Sequence, residues 1–212
     1  MKNIGDLSAD GYGIMIFSPY IFNEYLKLKK CRAKKFLSYF DKNKEFFYQT
    51  IKDGKILPLY QLASFEYDLF VSMDEEKEDI PKEYLKVYEY KGFFIEVGID
   101  EKLCFANFDF MEYEGESIKK GITKKSELIP TGAEEILENY NSALELEIEK
   151  GKYALDIIGL KRKNKLERES KNFAYLFRFT KKTIANENFI KADNDTCTFD
   201  IIQNEKTTTN NV

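Results

Sequence analysis

The chain has 212 residues, 43% hydrophobic and 33% charged, with a formal net charge of −4. This composition excludes collagen-like and wholly disordered chains, and the length allows one large domain or two small ones. Histidine and tryptophan are both absent, which removes Ser-His-Asp and Cys-His nucleophilic systems and the usual zinc and iron sites.

Met1 to Asp10 carries two aspartates ahead of an apolar stretch that runs only from Ile14 to Phe17. This is too short and too acidic for a signal peptide, and no window approaches the length of a membrane span, so a cytoplasmic location is expected. Cys31, Cys104 and Cys197 are odd in number and far apart, which argues for reduced thiols rather than a disulfide framework. Gly11 to Phe17 reads as a first strand stopped at Pro19. Tyr25 to Phe40 places Ala33, Phe36, Leu37 and Phe40 at helical spacing among lysines, so a helix is expected there. Glu45 to Ile51 and Ile56 to Tyr60 flank Asp53-Gly54, which reads as a β-hairpin turn. Ser64 to Ser72 alternates apolar with polar residues and reads as a strand. The stretch from Asp74 to Asp79 reads as a polar loop.

Tyr84 to Val97 is rich in Val, Tyr, Phe and Ile, with Lys91-Gly92 marking a bulge or bend. A strand is expected from Leu103 to Phe110, a polar loop from Glu114 to Lys125, and a short helix from Thr131 to Tyr140, with Glu134 completing a capping box. Ala143 to Glu149 has the cleanest alternation. Leu144, Leu146 and Ile148 are expected in the core, and Glu145, Glu147 and Glu149 in water. Lys150-Gly151 turns the chain, Tyr153 to Leu160 returns, and Phe173 to Phe179 supplies a last strand. Together these predict a mainly β protein. The expected architecture is an antiparallel two-sheet β-sandwich with one or two short helices, one domain over residues 1–205 and a disordered tail over 206–212.

The charge is segregated along the chain. Residues 61–149 hold 9 Lys and Arg against 23 Asp and Glu, a net −14, while residues 1–60 and 150–212 carry +5 each. Acidic loops of this kind steer and hold a basic partner. The basic ends, Lys27 to Lys35 and Lys161 to Arg168, could instead hold phosphates, but an isoelectric point near 5.3 speaks against nucleic acid as the main partner. Tyr88, Tyr90, Tyr113 and Tyr140, flanked by charge, are the better candidates for exposed aromatics.

Chemical motifs are few. Asp193-Asn194-Asp195 opens like a calcium loop but lacks the glycine and glutamate that such a loop needs. Asn194-Asp195-Thr196 fits a glycosylation acceptor that a non-exported chain would not use. No phosphate-binding glycine loop or nucleophile elbow occurs. Glu66 with Asp68, and Glu145 with Glu147, are carboxylate pairs on one strand face, as a histidine-free glycosidase would need. Chance alone explains such pairs in a chain this acidic. No cofactor or metal is expected.

Leu144 to Ile158 ends a strand at Lys150-Gly151 and opens the next with Tyr153, and a charged loop then leads to Leu176-Phe177-Arg178-Phe179. This arrangement resembles the C-terminal half of the competence nuclease-inhibitor family and related immunity proteins of bacterial toxin systems. The resemblance implies a small cytoplasmic β-sandwich-like protein that binds and neutralises a toxic enzyme. The expectation is therefore a non-enzymatic immunity protein that blocks a basic toxin domain, such as a nuclease, without engaging nucleic acid or membrane. Asp74, Glu75, Glu76, Glu78, Asp79, Glu112, Tyr113, Glu114 and Glu116 are the expected partner-binding residues. The alternatives are a carboxylate-dependent enzyme, for example on carbohydrate, and a self-associating accessory protein of a mobile element.

Overall fold

The structure is a computed structural model that describes residues 1–73, 80–131, 136–182 and 197–209. Among the described residues, ten strands form two five-stranded sheets. The first sheet has the order β1 (Lys2–Ser8), β4 (Glu66–Met73), β10 (Phe173–Lys182), β9 (Gly151–Arg162), β5 (Tyr84–Val97). The second has the order β3 (Leu57–Tyr60), β2 (Gly13–Phe17), β6 (Lys102–Asn107), β8 (Ile136–Glu147), β7 (Lys125–Thr131). All pairs are antiparallel except β4 with β10.

The mainly β sandwich expected from the sequence is present, but helices are more numerous than expected. They are α1 (Pro19–Leu28), α2 (Phe36–Lys42), α3 (Lys44–Lys52), α4 (Phe108–Tyr113), α5 (Gly115–Lys119) and α6 (Ile201–Thr209). The inner faces of both sheets form the main core, where Leu144, Leu146 and Ile148 from the alternating stretch meet Tyr153, Leu155 and Ile157. A second core packs the outer face of the β2-β6-β8 sheet, through Met15, Phe17 and Ala106, against Phe22, Phe36 and Phe40 of the helices. Two non-polar cores on one sheet explain why β2 is buried along its whole length rather than alternating.

Several expectations are corrected. Residues 45–51 are helical, not a strand. Phe46, Phe47, Thr50 and Ile51 fall on helical spacing, and Gly54 is the left-handed residue that ends the helix rather than a hairpin turn. Its φ is 65°, with Gly54 N donating to Ile51 O (2.9 Å) and Lys55 N to Thr50 O (3.0 Å), the bonding of a Schellman cap. The single helix expected over Tyr25 to Phe40 is two helices. Ser18-Pro19 starts the first, and Lys30, at φ 54°, ends it with Cys31 N donating to Leu26 O (2.8 Å). That same cap is made without glycine.

The strand expected to reach Phe110 stops at Asn107, whose side chain accepts from Phe110 N (2.8 Å) and caps α4. The loop expected from Glu114 contains α5. Residues 136–140, expected as helix, begin β8, because pairing with β7 overrides the local capping signal. Lys150-Gly151 joins strands of opposite sheets, so it forms an arch rather than a hairpin, closed by Tyr153 OH donating to Glu149 O (2.7 Å). Residues 206–209, expected in the tail, continue α6. The calcium-like and glycosylation-like sequence at 193–196 lies outside the described residues.

All four sheet borders carry an interruption. Pro58 stands in β3 and Pro130 in β7, and β1 and β5 have register shifts at Asn3/Gly5, Lys86/Tyr88 and Tyr90/Phe93. Proline and bulges remove the regular row of free amides that would accept another strand.

Candidate partner-binding site

Asn107 starts α4 where β6 ends, which puts Asp109, Glu112 and Tyr113 three and four residues apart on one helical face. Phe110 and Met111 turn inward into the helical core. Glu112 is anchored to α2, accepting from Ser38 N (2.9 Å) and Ser38 Oγ (2.5 Å). Tyr113 is 69% exposed, with the Lys35 ammonium 5.6 Å from its ring centre.

The turn Asp10–Tyr12 packs beside this helix. Gly11 has φ 72°, and a Cβ there would lie 2.8 Å from Phe108 Cβ. Only glycine permits both the conformation and the approach. Tyr12 follows at φ 64°, a strained position for an aromatic residue, and is 66% exposed. Its backbone is tied at both ends, by Tyr12 N to Ala9 O (3.1 Å) and Leu62 N to Tyr12 O (3.1 Å).

Asp10 accepts from Ser8 Oγ (3.1 Å), Ser64 Oγ (3.2 Å) and the Tyr140 hydroxyl. Asp10, Asp109 and Glu112 thus lie close to one another, and among the described residues the donors bound to Asp10 and Glu112 are neutral. Burial, and then the charges of Asp10 and Glu112, push the Asp109 carboxyl above its ordinary range. An apolar groove of about 320 Å³ adjoins the site through Phe108, with Leu37, Phe40, Phe47 and half-exposed Tyr48 in its walls.

The expected site residues distribute unevenly. Glu112 and Tyr113 belong to this cluster. Glu114 and Glu116 are close in sequence but carry cations of their own. Lys125 (2.9 Å), together with Ser117 (2.7 Å), holds the Glu114 carboxyl below its usual range, and Lys34 lies 3.3 Å from Glu116. Asp74, Glu75, Glu76, Glu78 and Asp79 lie outside the described residues. Of the tyrosines expected at the surface, Tyr113 is exposed, Tyr140 is half-buried against Asp10, and Tyr88 and Tyr90 pack against the core.

Sequence reasoning missed Asp10, Tyr12 and Asp109. Gly-Tyr-Gly at 11–13 was the available signal, since paired glycines around one aromatic mark a backbone turn that only glycine can flank.

The carboxylate pairs read in the sequence are engaged elsewhere. Glu66 pairs with Arg168 (2.5 Å) and Lys171 (3.2 Å), Asp68 with Arg162 (2.9 Å), and Glu145 with Lys102 (3.0 Å). A cleft of about 560 Å³ contains Glu147 and Glu149, and in it Lys181 holds Glu149 below its usual range. The raised carboxyl, Asp109, stands apart on the helical face. Among the described residues no group of three or more acids or cysteines is arranged to hold a metal ion, and no helix is long and apolar enough to cross a membrane.

No family model matches the chain, and no curated protein matches it. Among solved structures, that of ComJ, inhibitor of the DNA degrading activity of NucA, from Bacillus subtilis, is similar in outline. It has a TM-score of 0.40 and 8% identity over 86% of this chain and 96% of that one.

Proposed function

We propose that the chain is a cytoplasmic immunity-type binding protein that occludes a basic toxin domain, such as a nuclease, by contact rather than by chemistry. The observation that carries this reading is the Asp10–Asp109–Glu112 cluster. Among the described residues no cation pairs with its carboxylates, which sit beside two tyrosines that are each about two-thirds exposed. A lysine or arginine of the partner supplies the missing charge, and Tyr12 and Tyr113 supply apolar area and a ring face for the cation. Charge at such a rim accelerates encounter, and desolvated aromatic anchors slow release. Residues 74–79 add negative charge to the same capture by long-range attraction. Glu114 and Glu116, already paired, contribute less.

The test is capture of partners from the source cell by the tagged chain, followed by identification of what is retained. A strongly basic protein is expected. Its retention should fall with added salt and fall further with the Asp109→Lys, Glu112→Lys double variant. Retention indifferent to salt and to both reversals would remove this function.

A further inference from the structure

The open mouth of the sandwich beside β3 and β5 is filled by residues 197–205, which belong to neither sheet and lead into α6. Phe199 is fully buried there, with its ring centre 5.7 Å from Phe93, 5.9 Å from Tyr90 and 6.3 Å from Tyr60. Two tyrosine hydroxyls converge on the Phe199 carbonyl oxygen, one from Tyr88 and one from Tyr175 (3.0 Å). Asp200 is buried as well. It accepts from Ala63 N (2.9 Å) on the mouth and from Gln203 N (2.9 Å), which caps α6. Tyr90 OH donates to Asn204 Oδ1 (3.2 Å).

The walls are built by the body of the fold. The two register shifts in β5 bracket Tyr88 and Tyr90. The Tyr88 ring rests on Gly159, where a Cβ would come within 2.3 Å of it. An aromatic cage, two hydroxyls aimed at a main-chain carbonyl and a backbone amide for a carboxylate together read a peptide, specifically an aromatic–aspartate pair at the head of a short helix.

We propose that this mouth is a peptide-binding site whose ligand is the chain's own C-terminal segment, and that the same segment from a second copy can replace it. Side-chain hydrogen bonds, ring contacts and the ion pair of Lys161 with Glu205 hold the segment, with no strand ladder among the described residues, so it can leave while the sheets stay paired. Fourteen residues, 183–196, separate it from β10. The seat does not depend on the partner-binding cluster.

The test uses the full chain with a specific protease site placed within residues 183–196, cut after folding. A fluorescein-labelled peptide of residues 197–209 is then added, with anisotropy reporting uptake and far-UV circular dichroism reporting the sheets. Uptake with release of the original fragment and an unchanged β spectrum is the expected result. A peptide with Phe199→Ala should bind more than about a hundredfold more weakly. Tyr88→Phe in the body should weaken uptake about fivefold, since Tyr175 still donates. Three results would overturn the proposal. The first is no uptake by folded, cut protein, and the second is equal uptake of the alanine peptide. The third is fragment release only together with loss of the β spectrum.

Discussion

The outer face of the first sheet and the α4 face both gather carboxylates, and they treat them in opposite ways. On the sheet, Glu89 meets Lys86 (3.0 Å), Lys91 (3.2 Å) and Arg178 (3.2 Å), and Asp156 accepts from Gly92 N (3.2 Å) with Arg178 at 3.9 Å. Beside them, Asp68 is shared between Arg162 and the Tyr84 hydroxyl, with the guanidinium stacked over the Tyr84 ring at 4.8 Å. Each of these carboxylates is answered from within the chain. On α4, Asp109 and its neighbours receive neutral donors or mutual repulsion. A closed network holds a fold in register, whereas an open one is a standing demand for an outside cation.

Arg178→Ala should break this contrast most strongly. Glu89 and Arg178 are only 12% and 15% exposed, so removing the guanidinium takes from Glu89 the most buried of its three cations and from Asp156 the cation beside it. A loss of about 2–4 kcal/mol in urea unfolding is expected. A loss below about 1 kcal/mol would mean the sheet network is as solvated as the α4 face.

Gly11→Ala comes next, at about 1–3 kcal/mol, because alanine meets both a left-handed backbone and the Phe108 side chain. Partner capture should fall with it, since Tyr12 moves. Tyr12→Gly separates the two effects. It relieves the positive φ and should raise stability by about 0.5–1 kcal/mol while weakening capture. A variant that gains stability and binds as before would remove Tyr12 from the interface.

Acidity sharpens the comparison further. For Glu89, burial alone would raise the carboxyl, but the hydrogen bonds from Lys86 and Lys91 outweigh it and hold the group below its ordinary range. Its contribution is therefore present at neutral pH and lost as pH falls through the folded value. Glu89→Gln should cost about 1–2 kcal/mol at pH 7, with the deficit shrinking in acid. Asp109 is raised, so the folded chain binds its proton more tightly than the unfolded chain. Stability falls as pH rises from the ordinary aspartate value through the folded one. Asp109→Asn should thus be slightly more stable than the parent at pH 7, by a few tenths of a kcal/mol at this exposed position. That advantage should vanish on acidification. Parallel pH profiles for the two variants would contradict the opposed environments.

The strand framework was legible because a half-buried sheet writes its two faces directly into the sequence, as Leu144, Leu146 and Ile148 do against their glutamates. The helical layer was less so. Asp53-Gly54 offers the same positive φ to a hairpin and to a helix end, and only the spacing of Phe46 and Thr50 separates the two. At Lys30 the helix ends with no glycine to announce it. The candidate site was legible in Glu112 and Tyr113, which sit in an acidic run. Asp10 and Asp109 are ninety-nine positions apart, and only the packing of the Asp10–Tyr12 turn on α4 makes them neighbours. Glu114 and Glu116 differ from them for the converse reason. Lys34, distant in the chain, and Lys125, eleven positions on from Glu114, arrive beside them.

The interrupted sheet borders also bear on how this molecule behaves in a crowded solution. With Pro58, Pro130 and the bulges of β1 and β5 in place, the described sheet borders offer concentrated protein no smooth ribbon on which to seed fibrils, despite the many aromatic strands. Attachment to other molecules is diverted from main-chain zippering, which is blind to sequence, to side chains, which can discriminate between closely similar partners.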